Sequence, residues 1–222
     1  MQENDLARYI DHTLLTATAT AADIIRLCRE AVAYNFYAVC VHSRWLPLCR
    51  AQLAGTPVKL AAVIDFPHGA GLSSARTHAA AAAVAAGAGE LDVVVPLPLV
   101  MEKDWRGITE DTRNLVEAAG PSVIIKVILE AGLLDEETLD ATAQSVLAGG
   151  AHFLKTGTGT GPPATPEMVA HLYRLAHPQA QVKASGGIRT AEQARALVAA
   201  GATRLGTSSG VALMQPEPGR TD

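Results

Sequence analysis

Four times along this chain an alanine-rich, helix-like stretch ends in glycine and passes at once into a β-branched run. The junctions are Ala86-Gly87 before LDVVVP (91–96), Ala119-Gly120 before SVIIKVIL (122–129), Gly149-Gly150 before HFLKTG (152–157) and Ala200-Gly201 before TRLGTS (203–208). Glycine just past a helix end accepts the left-handed turn that other residues resist, so each junction predicts a helix feeding a strand. Further strand candidates lie at 10–15, 37–41, 59–65 and 181–185. Helix starts fall where they should: Thr165 precedes Pro166, Thr190 and Gln193 form a capping box, and Ser73 or Ser74 opens the long alanine helix. Strands and helices alternating at about 28 residues per unit predict one α/β domain over residues 1–215, a (β/α)8 TIM barrel. An open doubly wound sheet is the alternative, but no GxGxxG turn follows the first strand. Residues 216–222, rich in proline and polar groups, are expected to be a disordered tail.

Composition narrows the function classes. At 49% hydrophobic and 18% charged residues, the chain has material for a packed core. A net charge of −4 and only 4% aromatics argue against a nucleic-acid partner. The three cysteines, Cys28, Cys40 and Cys49, show no CxxC spacing, which predicts reduced thiols rather than disulfides or zinc. Glu3, Asp5 and Arg8 stand where a signal peptide needs an apolar run, and the weakly polar stretch 79–89 is shorter than the ~20 residues of a membrane span. The expectation is a cytoplasmic protein without membrane contact. The seven histidines have no HExxH-type spacing, so neither metal nor other cofactor is expected.

The chemistry gathers on lysines. There are five in the chain, and three fall inside predicted strands: Lys126, Lys155 and Lys183. An unpaired ammonium in a strand interior costs several kcal/mol, so three of them need a reason beyond packing. Alternation puts Ile124, Lys126, Ile128 and Glu130 on one face, Lys183 with Ser185, and Asp11 with Thr13. Lys155 and Lys183 lie at carboxyl ends of strands, where barrel active sites collect. Asp92, charged within an apolar run, calls for a lysine on a neighbouring strand. Asp11 is either a loop-tying acceptor or a substrate contact, and Cys40 either packs or supplies a thiol. Turns at 155–159, 185–187 and 206–210 combine glycine with hydroxyls and predict a cradle for a phosphate.

IDHTLL, AVCV, DFPHG, GELDVVV, KVILE, FLKTGTG, KASGGIRT and GATRLGTSSG stand in this order between Ile10 and about Leu213. In this the chain resembles the 2-deoxyribose-5-phosphate aldolases, metal-independent class I aldolases on a (β/α)8 barrel. The resemblance implies reversible retro-aldol cleavage of 2-deoxy-D-ribose 5-phosphate to D-glyceraldehyde 3-phosphate and acetaldehyde. It makes Lys155 the Schiff-base lysine, Lys183 the second lysine that tunes it, and Asp92 the proton-relay group. Asp11, Thr13 and Cys40 match pocket positions, and Thr158, Gly159, Gly186, Gly187, Ser208 and Ser209 match the substrate and phosphate site. It also implies a homodimer or higher homo-oligomer. Two other readings stay open at this point: a Schiff-base aldolase for another phosphorylated sugar, and a barrel that only binds sugar phosphates. The chain departs from the family pattern at Gly157 and Thr160, where members read KTSTGF, and at His42-Ser43, where Asn-Pro is usual. Those near the turn at 155–159 bear on phosphate affinity.

Overall fold

The four junction glycines all take positive φ: +110° at Gly87, +82° at Gly120, +94° at Gly150 and +116° at Gly201. In the computed structural model, which describes residues 6–215, each turns a helix end into the next strand. The expected tail at 216–222 lies outside the described residues. The strands are β1 (Ile10–Leu14), β2 (Ala38–His42), β3 (Lys59–Ile64), β4 (Glu90–Val94), β5 (Ile124–Ile128), β6 (Phe153–Lys155), β7 (Gln181–Ser185) and β8 (Arg204–Thr207). Every neighbouring pair is parallel, and β8 returns to β1 with Leu205 opposite Ile10, closing the barrel in sequence order. The open-sheet alternative is thereby excluded.

Helices α1 (Ala21–Ala33), α2 (Leu46–Gln52), α3 (Ser73–Ala85), α4 (Leu97–Met101), α5 (Trp105–Ala119), α6 (Glu136–Ala148), α7 (Pro166–Ala176), α8 (Ala191–Ala199) and α9 (Gly210–Leu213) follow or connect the strands. Their starts obey local chemistry. Thr20 and Asp23 make a capping box on α1, Thr190 and Gln193 one on α8, and the Thr165 hydroxyl accepts from Met168 N–H ahead of Pro166. Ser73 does open α3, but neither it nor Ser74 caps the helix: the N-cap position is Leu72, with no side-chain bond. The lead-in to α3 is held instead by Arg76, whose guanidinium donates to Asp65 (2.5 Å), the Val94 carbonyl (2.6 Å) and Asp111 (3.0 Å). That anchors the loop carrying Phe66 over the barrel mouth. No helix among the described residues is long and apolar enough to cross a membrane.

Strand alternation divides the barrel into two environments. Outward positions such as Ile10, Val39, Ala62, Leu91, Val93, Ile125, Val127, Leu154, Val182 and Leu205 join one apolar core with the helices. Inward positions carry Asp11, Cys40, Asp92, Lys126, Lys155 and Lys183, with Cys40, Ala61 and Val63 as a small apolar patch. Most barrels fill that interior with Val, Ile and Leu; this one fills it with charge.

Two glycines test the junction logic. An alanine Cβ at Gly120 would meet nothing within 4 Å, whereas at Gly201 it would sit 2.7 Å from the Tyr173 ring. Gly120→Ala should cost about 1 kcal/mol for the left-handed backbone alone. Gly201→Ala should cost about 2–4 kcal/mol, because overpacking adds to the strain. Urea unfolding midpoints of the two variants check this, and equal losses would contradict it.

Candidate active site

Lys155 ends β6 and Lys183 stands beside it on β7, directly opposite in register; Asp92 on β4 lies opposite Lys126 on β5. These registers bring the three lysines around one carboxylate. Asp92 Oδ1 accepts from Lys126 Nζ at 2.9 Å, and Oδ2 accepts from Lys155 at 2.8 Å and from Lys183 at 2.7 Å. The expected lysine partner for Asp92 is therefore present three times over. Lys183 also donates to Asp11 Oδ2. Asp11 is fully buried, outside the residues that line the cavity, and its carboxylate pairs with Lys183 and Arg204.

Two charged residues that the sequence pattern did not single out complete the cluster. Arg204 Nε donates to Asp11 Oδ1 at 2.8 Å, its Nη2 donates to Glu90, and Glu90 accepts from Lys126 at 2.5 Å. The signal was available, since Glu90 stands two residues before Asp92 and Arg204 two before Gly206, on the inward face of their strands. Four cations, Lys126, Lys155, Lys183 and Arg204, thus face three carboxylates, Asp11, Glu90 and Asp92, leaving one positive charge in excess if all are ionised.

The titration directions agree with that count. Burial lowers the pKa of Lys155; Asp92 opposes and the Lys183 ammonium assists, and the net result lies below the ordinary lysine value. Burial pulls Lys126 and Lys183 down too, but Asp92, Asp11 and, for Lys126, Glu90 outweigh it, and both are raised. Burial would raise Asp11 and Asp92; Lys183 and Lys126 outweigh it at Asp11, which falls to about 2, and Lys126, Lys155 and Lys183 hold Asp92 well below the carboxylate range. Of the three, Lys155 alone is shifted toward the free amine. Its desolvation comes first and the repulsion of Lys183 second.

Above this cluster opens a cavity of about 430 Å³ at the carboxyl ends of the strands, lined among others by Thr13, Phe66, Lys155, Thr158, Gly159, Gly186, Gly187, Arg189, Ser208 and Ser209. Of the three interior lysines, Lys155 alone lines it; Lys126 and Lys183 are wholly buried below. The loops are tied to one another. Ser185 N–H donates to the Thr156 hydroxyl and Ser185 Oγ donates to the Gly157 carbonyl, at 2.9 and 2.6 Å, while Thr207 Oγ1 donates to the Ile188 carbonyl at 2.7 Å. Gly159 and Gly186, both at positive φ, let two loop backbones come close: a Cβ on Gly186 would lie 3.5 Å from Gly159 Cα.

Other expectations shift. Cys40 faces the interior, but it packs beneath the cavity wall against Ala61 and Val63, with Sγ 4.0 Å from Asp92. Burial, then Asp92, pushes its thiol up to about 11, away from the thiolate form. Glu130 is not on the strand face with Lys126: β5 stops at Ile128 and Glu130 turns left-handed at φ +52°. Its carboxylate accepts from the Thr158 hydroxyl at 2.6 Å and lies 2.9 Å from where a Cβ on Gly157 would sit. The departure at Gly157 thus leaves room for Glu130 to brace the Thr158 turn. Among the described residues, no group of three His, Cys, Asp or Glu side chains is arranged to hold a metal ion.

A family model described as DeoC/LacD family aldolase matches residues 6–215. This chain belongs to that family. It is 42% identical over 215 residues to the deoxyribose-phosphate aldolase of Geobacillus sp. (strain WCH70), covering 96% of each chain. It is 43% identical over 216 residues to that of Thermus thermophilus, covering 97% of this chain and 98% of the other. The solved structure of the Aeropyrum pernix deoxyribose phosphate aldolase, described as a unique tetramer, superposes with a TM-score of 0.90 at 36% identity, over 96% of this chain and 91% of that one. The chain is an aldolase, a lyase of carbon–carbon bonds.

The buried carboxylates give the fold a pH signature. Asp11 falls from an ordinary value of 3.8 to about 2 on folding, so its contribution is complete above the unfolded value and lost as pH falls through the folded one. Wild-type stability should therefore drop by about 2 kcal/mol on Asp11's account between pH 5 and 2. Asp11→Asn should be less stable at pH 7 by about 3 kcal/mol, because Lys183 and Arg204 lose a counter-ion, yet show a flatter acid limb. Urea midpoints measured against pH decide it; parallel limbs would show that Asp11 is not the titrating group.

Proposed function

We propose that this aldolase cleaves 2-deoxy-D-ribose 5-phosphate reversibly to D-glyceraldehyde 3-phosphate and acetaldehyde, through an imine on Lys155. The observation that carries this is that Lys155, the interior lysine whose pKa is lowered, is also the one that reaches the cavity. A neutral amine is required to attack an aldehyde, and an ordinary lysine, with a pKa of about 10.4, is almost wholly charged at pH 7.

The residues divide the work by position. Lys155 Nζ adds to C1 of the open-chain sugar, and loss of water gives the protonated imine. That cation withdraws electrons from the C2–C3 bond. The C3 hydroxyl proton leaves toward Asp92, relayed by water, as the bond breaks and the aldehyde product departs. Asp92, flanked by the Lys126 and Lys183 ammonium groups, keeps a proton only briefly and passes it on. Protonation of the remaining enamine and hydrolysis release acetaldehyde and restore the amine. Lys183 stays charged between Asp11 and Asp92, and so acts through its field and its hydrogen bonds.

The phosphate falls to the far side of the cavity. The backbone of Gly159, Gly186 and Gly187 and the hydroxyls of Ser208 and Ser209 suit a dianion, Thr158 lines the same side with its N–H and hydroxyl turned to Glu130, and Arg189 brings a guanidinium to the rim. We further place the chain in the cytoplasm, supported by its free buried cysteines, and infer a homo-oligomer, supported by the tetrameric Aeropyrum pernix relative and by exposed Leu72, Met101 and Leu133.

Borohydride reduction with acetaldehyde, followed by peptide mass mapping, should place one adduct on Lys155; an adduct on Lys183 or Lys126 with Lys155 unmodified would overturn the assignment. For the phosphate, Ser208→Asp should raise KM for 2-deoxyribose 5-phosphate by about 100-fold while changing kcat/KM for unphosphorylated 2-deoxyribose by less than about threefold. Equal losses on both substrates would remove Ser208 from the phosphate site.

A further inference from the structure

The floor of the barrel holds a charged pair that the reaction does not use. Arg204 and Glu90 are each about 95% buried, lie below Asp92 and Lys126, and do not line the cavity. The guanidinium of Arg204 covers the Tyr37 ring with its carbon 3.5 Å from the ring centre, which closes the interior from beneath. The pair is nonetheless continuous with the nucleophile. Arg204 reaches Asp11, Asp11 reaches Lys183, and Lys183 shares Asp92 Oδ2 with Lys155; Glu90 reaches Lys126, which takes the other oxygen of Asp92.

We propose that Arg204 and Glu90 are positioning residues that decide whether Lys155 Nζ carries a proton, by fixing the number of charges sealed inside the barrel. The charged and titratable groups around Lys155 can be taken element by element: inside the barrel Asp11 from β1, Cys40 from β2, Glu90 and Asp92 from β4, Lys126 from β5, Lys183 from β7 and Arg204 from β8; Lys59 is exposed at the foot of β3, and Glu130 and Arg189 lie on the loops at the mouth. Cys40 is neutral, and Tyr37 meets Arg204 from outside the strands. Three carboxylates match Lys126, Lys183 and Arg204 one for one, so a proton on Lys155 is the unmatched charge. Buried charges are neither hydrated nor screened, so removing one from the floor changes which state of Lys155 balances the interior. Deleting a negative charge makes the amine easier to keep neutral; deleting a positive one invites the proton back. This inference rests on Lys155 being the imine lysine.

The test is the pH midpoint of acetaldehyde trapping by borohydride, read as adduct on Lys155 by mass, in variants whose cooperative melting shows them folded. Glu90→Gln should lower the midpoint by about one pH unit and Arg204→Met should raise it by about as much. The double variant should return near wild type, and Arg204→Lys, which keeps the charge, should stay there. A merely structural floor predicts something else: any variant that loosens it lets in water and moves the midpoint up, toward an ordinary lysine. Midpoints that do not move, or that move upward in Glu90→Gln, would overturn the proposal. If Arg204→Met does not fold, Glu90→Gln and Arg204→Lys decide it, with a fall in the first and no change in the second. Wild type without an adduct at Lys155 would instead overturn the function on which the inference rests.

Discussion

Asp92 accepts three ammonium groups on two oxygens, inside a barrel where none of the four side chains is more than slightly exposed. Such a cluster is stable only if its charges are close to matched, because each uncompensated ion costs several kcal/mol in the interior. If all seven groups are ionised, the match is one cation too rich. The Asp92 carboxylate favours a proton on Lys155, while burial and the Lys183 ammonium oppose it and leave the net shift downward. Lys155 sits at the top of the cluster, where its side chain lines the cavity.

The fold serves this arrangement by keeping the charged layer rigid and the mouth adaptable. Parallel register sets Lys155 beside Lys183 and Lys126 beside Asp92, so that all three ammonium groups reach one carboxylate, a precision loops rarely hold. Around the mouth, short glycine- and hydroxyl-rich turns are cross-tied through Thr156, Ser185 and Thr207. These ties hold the turns in place without bulky side chains, and the Thr158 and Ser209 amides are themselves tied, to Glu130 and to the Thr207 hydroxyl. Arg76 does the corresponding job on the opposite side, holding the loop that carries Phe66.

Much of this could be read in the sequence because its signals are local. Helix-ending glycines, capping boxes and lysines in apolar strands need only neighbours a few residues away to be interpreted, and the repeat of the junctions carries the barrel. What escaped was non-local. Glu90 and Arg204 come from β4 and β8, and nothing short of the closed register shows that they share Asp11 and Lys126 between them. Glu130 escaped for the opposite reason: a strand pattern extended smoothly through it, while a left-handed turn after Ile128 sent its carboxylate to Thr158. For Asp11 and Cys40 the strand pattern shows no depth along the barrel, which only the closed register supplies. Both lie below the cavity wall, where one is a counter-ion and the other packs.

The central claim is that the interior balances with Lys155 unprotonated. Isotope-labelled lysine NMR, following each side-chain Cε signal with pH, measures this directly, with exposed Lys59 and Lys103 as internal references. The account predicts that Lys155 titrates below those two, while Lys126 and Lys183 keep their protons beyond them. If Lys155 titrates with or above the surface lysines, the balance is struck some other way and the account fails.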